Sequence, residues 1–128
     1  MPLRPLDHLL VLTDDLEATK AFYCDALGLE AGARPALEFP GYWLYADGVP
    51  CLHVADRAAY VAHAARLGLV LPSGPVDHVA FTAEDADDVV ERLAAAGVAA
   101  VKNDVPAAGL RQLFVTDPNG LRIELNLG

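Results

Sequence analysis

Four side chains able to bind a metal or move a proton occupy matching positions in the two halves of this 128-residue chain. His8 and His78 each follow an aspartate and stand 70 residues apart, and His53 and Glu124 stand 71 residues apart. Three imidazoles and one carboxylate form a donor set that suits a divalent transition metal with an open position for substrate. Zn, Ni, Co, Mn and Fe(II) are all compatible with this set.

The elements that must position these residues repeat in the same register. Each histidine opens an apolar strand, which is followed by an acidic helix start at Asp14–Glu17 or Glu84–Asp87. Each helix has one apolar stripe and ends at a glycine, Gly28 or Gly97, where a left-handed cap is expected. Both halves end in a hairpin between apolar strands. The predicted strands lie near 5–12, 30–37, 41–46, 50–55, 76–82, 98–103, 110–116 and 121–127.

This repeat predicts an α+β protein built as two tandem βαβββ modules that form an open, metal-lined cleft. Module 1 spans about 4–56 and module 2 about 76–128, and together they form one domain over 1–128. The linker, about 57–75, contains a short helix over 57–67 and the turn segment Pro72–Pro75.

Strand alternation places the four candidate donors on one face of the sheet. Ile123, Leu125 and Leu127 predict a face packed against a helix, so Glu124 lies on the opposite face, which is either concave or solvated. The same parity places His8 with Leu10 and His53 with Cys51. A pseudo-two-fold axis between the modules would then bring His8, His53, His78 and Glu124 together as a metal site. The fourth histidine, His63, is expected on a helix surface.

The paired Asp-His strands, the acidic helix starts and the segment Phe114–Leu125 resemble the vicinal oxygen chelate superfamily over essentially the whole chain. That superfamily contains glyoxalase I, extradiol dioxygenases and bleomycin resistance proteins. The resemblance implies ligands at His8, His53, His78 and Glu124, and a homodimer in which both subunits often complete each cleft. It also implies a glyoxalase-like lyase or isomerase that stabilises an enediolate of a substrate with vicinal oxygens, with Glu124 as metal-bound carboxylate and base.

Two other functions stay open at this point. The first is an Fe(II) extradiol dioxygenase, with two histidines and Glu124 on the iron and a remaining histidine, His53 or His8, as an acid–base group. Phe114 stands where that pattern has tyrosine. The second is a non-enzymatic drug-binding protein of the bleomycin-resistance type, for which the strong negative charge would suit a cationic ligand.

Three residues are candidates for substrate binding. Trp43 and Tyr45 share one face of an aromatic segment, which predicts either a core strand, a dimer contact or an apolar wall of the cleft. Arg111 lies on a predicted strand near the site, where its guanidinium could clamp a substrate carboxylate or pair with one of the acidic residues.

The amino-acid composition narrows the kinds of partner that the protein is expected to bind. Nine Lys and Arg stand against eighteen Asp and Glu, and this net charge of −9 argues against nucleic acid and against an anionic membrane surface. The sequence contains neither a recognisable secretory signal nor an apolar run long enough to span a membrane. Cys24 and Cys51 form no disulfide pattern and are expected as buried free thiols. We therefore expect a cytoplasmic protein with a small-molecule substrate.

Overall fold

The computed structural model describes residues 6–68, 78–106 and 110–127, which form two four-stranded sheets. The sheet of module 1 has the strand order β1-β4-β3-β2, and that of module 2 has the order β5-β8-β7-β6. In each sheet the first strand pairs in parallel with the last, and the other neighbours are antiparallel. The two tandem βαβββ modules of the predicted α+β fold are therefore confirmed. The strands are β1 Leu9–Thr13, β2 Glu30–Gly32, β3 Gly41–Ala46, β4 Val49–Asp56, β5 His78–Ala83, β6 Val101–Val105, β7 Leu110–Thr116 and β8 Arg122–Leu127.

Three helices begin at aspartate caps. Helix α1 (Leu16–Ala21) continues into a π-helical segment, Phe22–Ala26, and helices α2 (Arg57–Arg66) and α3 (Ala86–Ala95) follow β4 and β5. The side chains of Asp15, Asp56 and Asp85 each accept a hydrogen bond from a first-turn amide at 2.9–3.1 Å. Each cap satisfies a backbone donor that the helix itself leaves unpaired.

Two glycines end the main helices as the sequence predicts. Gly28 and Gly97 have φ angles of 78° and 68°, in the left-handed region that favours glycine. Because each lies directly after its helical segment, the chain can reverse there without strain.

The helix-packed faces of both sheets share one hydrophobic core. Val11, Leu44 and Leu52 from module 1 lie in the same buried cluster as Ile123 and Leu125 from module 2. Tyr23, fully buried, donates a hydrogen bond at 2.9 Å to Asp117 in the turn before β8. The opposite faces, which carry the candidate donors, therefore lie outside this core.

Three predicted strands differ from the structure. The first was expected near 5–12, but β1 begins at Leu9, so His8 lies just before the strand instead of opening it. The second strand was expected over 30–37, but β2 ends at Gly32, because Pro35 and the following residues leave the sheet. Strand β6 begins at Val101 instead of residue 98. The linker segment Pro72–Pro75 and the start of the strand expected at 76 lie outside the described residues.

Candidate functional site

Module 1 holds three parallel aromatic rings on its outer face. The imidazole of His53 lies between His8, with ring centroids 3.8 Å apart, and Trp43, with centroids 4.1 Å apart. The interplanar angles are 13° and 9°. Trp43 is directly opposite His53 in the β3–β4 register, which fixes one contact of the stack.

Hydrogen bonds orient both imidazoles of the stack. Nδ1 of His8 lies 2.6 Å from Oδ2 of Asp7, so the proton of a neutral His8 belongs on Nδ1 and its Nε2 is left as a donor atom for a metal. Nε2 of His53 lies 3.1 Å from the carbonyl oxygen of Pro50. Burial, followed by the neighbouring His8, lowers the pKa of His53 below the usual value for histidine. The lowered pKa favours the neutral form of His53, which a metal ligand or a general base requires.

A cavity of about 200 Å³ adjoins this stack. Its aromatic walls are Trp43, Phe39 and Tyr60, and Phe39 meets Tyr60 edge to face with centroids 5.1 Å apart. One cation, Arg34, lines the cavity and donates a hydrogen bond at 2.7 Å to the carbonyl of Phe39. An apolar or planar group with one negative charge matches these walls. The remaining lining residues are His8, Leu10, Leu37, His53 and Val54.

Module 2 holds the second pair of candidate donors. Nε2 of His78 lies 3.7 Å from Oε1 of Glu124, whose side chain is only 17% exposed. The pair forms because β5 and β8 are parallel neighbours in which Ala80, two residues beyond His78, is opposite Glu124. The side chain of Asn126 donates to Oε2 of Glu124 at 3.1 Å, so the two carboxylate oxygens have different surroundings.

The chain alone does not bring the two pairs into one cluster. Within residues 6–68, 78–106 and 110–127, no group of three or more His, Cys, Asp and Glu side chains is close enough to hold a metal. The described residues of one chain therefore do not by themselves bring all four donors together. His8 and His78 do line one groove of about 400 Å³ between the starts of β1 and β5. Because the modules share the core through their opposite faces, each donor pair is left at the surface of its own sheet.

The donor chemistry fits a divalent metal, and the geometry is more favourable in module 2. The separation of 3.7 Å between His78 and Glu124 exceeds a hydrogen bond and is close to the ~3.4 Å that two ligands of one tetrahedral ion span. His8 and His53 are stacked, and a ligated metal lies in the plane of its imidazole, so the two parallel rings cannot hold one ion as they stand. His53 would have to leave the stack to join His8 as a ligand.

Other predicted residues lie elsewhere. In the β7–β8 register Arg111 is opposite the buried Leu127, which places it on the helix side of the sheet, away from Glu124. It lines a separate cavity of about 440 Å³ beside α3, so the expected position near the donors is wrong. The hydroxyl of Tyr45 donates to the carbonyl of Ala33, and Tyr45 does not line the cavity at Trp43.

The expectations for three further residues, His63, Cys24 and Cys51, need correction. His63 is half-buried, with Nδ1 3.2 Å from a carboxylate oxygen of Glu38 and its ring near Phe39, instead of lying on an open helix surface. Cys24 and Cys51 are free thiols, as expected, but both are only partly buried.

Several residues of the site were missed by the sequence reasoning. Arg34 fell in a segment predicted as strand, and Tyr60 was interpreted only as part of a helix stripe. Asn126 and Gln112 have the parity of Glu124, which was the available signal for a polar row on this face.

Comparisons with known proteins place the chain in a family. The family model for the Glyoxalase/Bleomycin resistance protein/Dioxygenase superfamily matches residues 5–125, and the chain belongs to that superfamily. It is 28% identical over 128 residues to the Escherichia coli (strain K12) protein "Uncharacterized protein YaeR", an alignment that covers 96% of this chain and 95% of the relative.

Solved structures share the fold at lower identity. Lactoylglutathione lyase from Agrobacterium tumefaciens has a TM-score of 0.75 at 23% identity, covering 99% of this chain and 96% of that one. The fosfomycin resistance protein FosX from Listeria monocytogenes has a TM-score of 0.70 at 19% identity, covering 98% and 94%. The antibiotic-binding protein TnmS3 from Streptomyces sp. CB03234 has a TM-score of 0.67 at 23% identity, covering 99% and 97%. The superfamily thus includes enzymes and binding proteins on the same fold. No helix in the described part of the chain is long and apolar enough to cross a membrane.

Proposed function

We propose that this protein is a metal-dependent enzyme of lyase or isomerase type that acts on a small molecule with vicinal oxygens. The observation that carries the proposal is the pairing of His78 with Glu124 at 3.7 Å, on a sheet face that lies outside the core. A half-buried carboxylate beside an imidazole is a functional arrangement that a merely solvated strand face does not require. His8 and His53 supply the second pair at the repeat-equivalent positions of module 1.

A second copy of the chain is the partner that completes the site. Strand β1 forms one edge of the first sheet and β5 one edge of the second, each next to the donor pair of its module. Both donor pairs face away from the shared core. In a homodimer, module 1 of one subunit can face module 2 of the other and bring His8, His53, His78 and Glu124 together. The metal, one per site, is a divalent ion from the set Zn, Ni, Co, Mn and Fe(II).

Each residue then has a defined role. The bound metal would polarise the substrate oxygens and stabilise negative charge that develops on them. Glu124 accepts a proton from the substrate carbon next to these oxygens and returns it. Neutral His53 is either a ligand or a second acid–base group. Trp43 and the aromatic walls of the cavity hold the apolar part of the substrate, and Arg34 holds a negatively charged group.

Two measurements test the proposal. Protein purified without chelator or added metal is analysed for bound elements, and its mass is measured by light scattering during size-exclusion chromatography. We expect about one metal per chain and about twice the 13.5 kDa of one chain. His78→Ala should abolish the metal, whereas Arg111→Ala, on the helix side of the sheet, should leave it unchanged. A metal-free protein that stays metal-free after incubation with each of these ions contradicts the proposal.

The identity of the bound metal distinguishes the candidate reactions. Ni, Co or Zn favours the lyase or isomerase, which is then assayed with methylglyoxal and a thiol. Fe or Mn favours the dioxygenase, which is assayed with catechols under air for a yellow ring-fission product. Turnover of the catechols and none of the methylglyoxal adduct would reject the first reaction in favour of the second.

A binding protein without chemistry is the second candidate. It is favoured by the stack of Trp43, His53 and His8, which offers a flat surface to an aromatic drug without any metal. If the protein holds no metal and aromatic antibiotics quench the emission of Trp43, the single tryptophan of the chain, this function replaces the enzyme.

A further inference from the structure

We propose that Asn126 is a positioning residue for Glu124, and that Gln112 and Asn103 hold Asn126 in place. This inference rests on the proposed function, because it assigns a role around the carboxylate of the metal site. It concerns a row of side chains on the outer face of module 2, which we call the amide row and define as Asn103, Gln112 and Asn126.

The amide row runs across three neighbouring strands toward Glu124. The Asn103 amide donates to Gln112 at 2.8 Å, and the Gln112 amide donates to Asn126 at 3.0 Å. The Asn126 amide donates to Oε2 of Glu124 at 3.1 Å. Asn103 is opposite Gln112 in the β6–β7 register, and Gln112 is opposite Asn126 in the β7–β8 register, so the sheet itself aligns the row.

The bond from Asn126 to Glu124 fixes the direction of the other bonds in the row. The carboxylate oxygen Oε2 accepts this bond, so Asn126 presents its NH₂ group to Glu124. The oxygen of Asn126 is then left to accept from Gln112, and the oxygen of Gln112 accepts from Asn103 in turn. Hydrogen bonds aligned head to tail strengthen one another, and the last of them ends on a charged acceptor.

The row leaves one oxygen of Glu124 directed to the site. Oε2 is engaged by Asn126, while Oε1 lies 3.7 Å from Nε2 of His78. A glutamate side chain loses considerable rotamer entropy when it is ordered, and the hydrogen bond from Asn126 stabilises that order before a metal arrives. Groups that orient a metal ligand in this way commonly change metal affinity by about 10- to 100-fold when they are removed.

The test compares Ni²⁺ affinity in full-length variants by calorimetry. Asn126→Leu keeps the branched shape and the heavy-atom count of the side chain and removes the donor, and we expect Ni²⁺ binding to weaken about 10- to 100-fold. Gln112→Met should weaken binding less, because Asn126 loses its support but still contacts Glu124. Asn103→Ala, at the exposed end of the row, should weaken it least. The control is Thr82→Ala, which is exposed, lies opposite Asn126 on β5 and makes none of these bonds.

Ni²⁺ affinity and melting temperature together test the role of Asn126. A purely structural role would lower the melting temperature of the metal-free protein, so the proposal requires weaker Ni²⁺ binding with a Tm within about 2 °C of the wild type. If Asn126→Leu does not fold, the graded losses in Gln112→Met and Asn103→Ala still test the row. Wild-type affinity, within about twofold, in a folded Asn126→Leu overturns the role of Asn126 and leaves the metal site standing. Wild-type affinity in Gln112→Met overturns the supporting role of Gln112. Absence of Ni²⁺, Co²⁺ and Zn²⁺ binding in the wild type overturns the metal site and the role of Asn126 together.

Discussion

The indole of Trp43 and the imidazole of His53 lie parallel, with ring centroids 4.1 Å apart. This contact joins the single tryptophan of the chain to a histidine proposed as a ligand or acid–base group. The emission of Trp43 therefore reports the charge state and position of His53 without any added probe.

We expect a pH-dependent quenching of Trp43 emission. A protonated imidazole stacked on an indole accepts an electron from the excited ring, whereas a neutral imidazole does so poorly. Because burial and His8 lower the pKa of His53, the quenching should develop as pH falls below about 6.5, the usual value for histidine. His53→Gln should remove the step, and His63→Gln should retain it. A quenching midpoint above about 7 in the wild type would contradict the lowered pKa.

The same shift predicts a change in stability. Below about pH 6.5 the unfolded chain protonates His53 more readily than the folded chain does, so the free energy of unfolding decreases as pH falls toward the folded-state pKa. Above that pH both states hold neutral His53 and its contribution is constant. Urea denaturation at pH 7.5 and 5.5 should therefore show a smaller loss of stability for His53→Gln than for the wild type. An equal loss in the two proteins would mean that His53 does not contribute.

The bond between the modules gives a prediction about folding stability. Tyr23 is fully buried and donates to Asp117, and burial raises the pKa of the Tyr23 hydroxyl above its usual range, so it stays a neutral donor. Tyr23→Phe removes one buried hydrogen bond and should lower the free energy of unfolding by about 1–2 kcal/mol. In the variant, Asp117 still accepts hydrogen bonds at 2.8 Å from the backbone amides of Asn119 and Leu121, which limits the loss of stability.

Tyr42→Phe is the matched control for this substitution. Its hydroxyl also bonds a carboxylate, Glu17, but on the surface, so the change should stay within about 0.5 kcal/mol. Equal effects of the two substitutions in chemical denaturation would show that the bond of Tyr23 to Asp117 contributes nothing beyond a surface contact.

Much of the architecture could be predicted because it depends on local patterns. The equivalence of His8 with His78 and of His53 with Glu124 predicted two modules. Strand parity placed Glu124 on the face opposite the buried side chains of Ile123 and Leu125. These features follow from alternation and capping, which act within a few residues.

The rest of the site depends on contacts between distant segments. The stack joins Trp43 on β3, His53 on β4 and His8, the residue before β1. The chain beyond Gly32 leaves the sheet to place Arg34 and Phe39 at the cavity. Arg111 was misplaced although parity with Val115 would have put it on the buried side of β7. The proposed meeting of the two donor pairs depends on packing between modules and between copies of the chain, which strand patterns do not encode.

The two arginines give a final prediction about the ligand. Arg34 lines the cavity with Trp43 and His53, whereas Arg111 lies on the helix side of the other sheet. Phenylglyoxylate, a small aromatic acid with vicinal oxygens, should quench Trp43 emission on binding, because its ring fits the aromatic walls and its carboxylate can pair with Arg34. Arg34→Met keeps the apolar stem and should weaken this binding about 10- to 150-fold, since a charge-assisted hydrogen bond contributes about 1.5–3 kcal/mol. Arg111→Ala should leave the titration unchanged. If Arg111→Ala weakens the binding and Arg34→Met leaves it unchanged, the carboxylate site lies in the cavity beside α3, away from the donor residues.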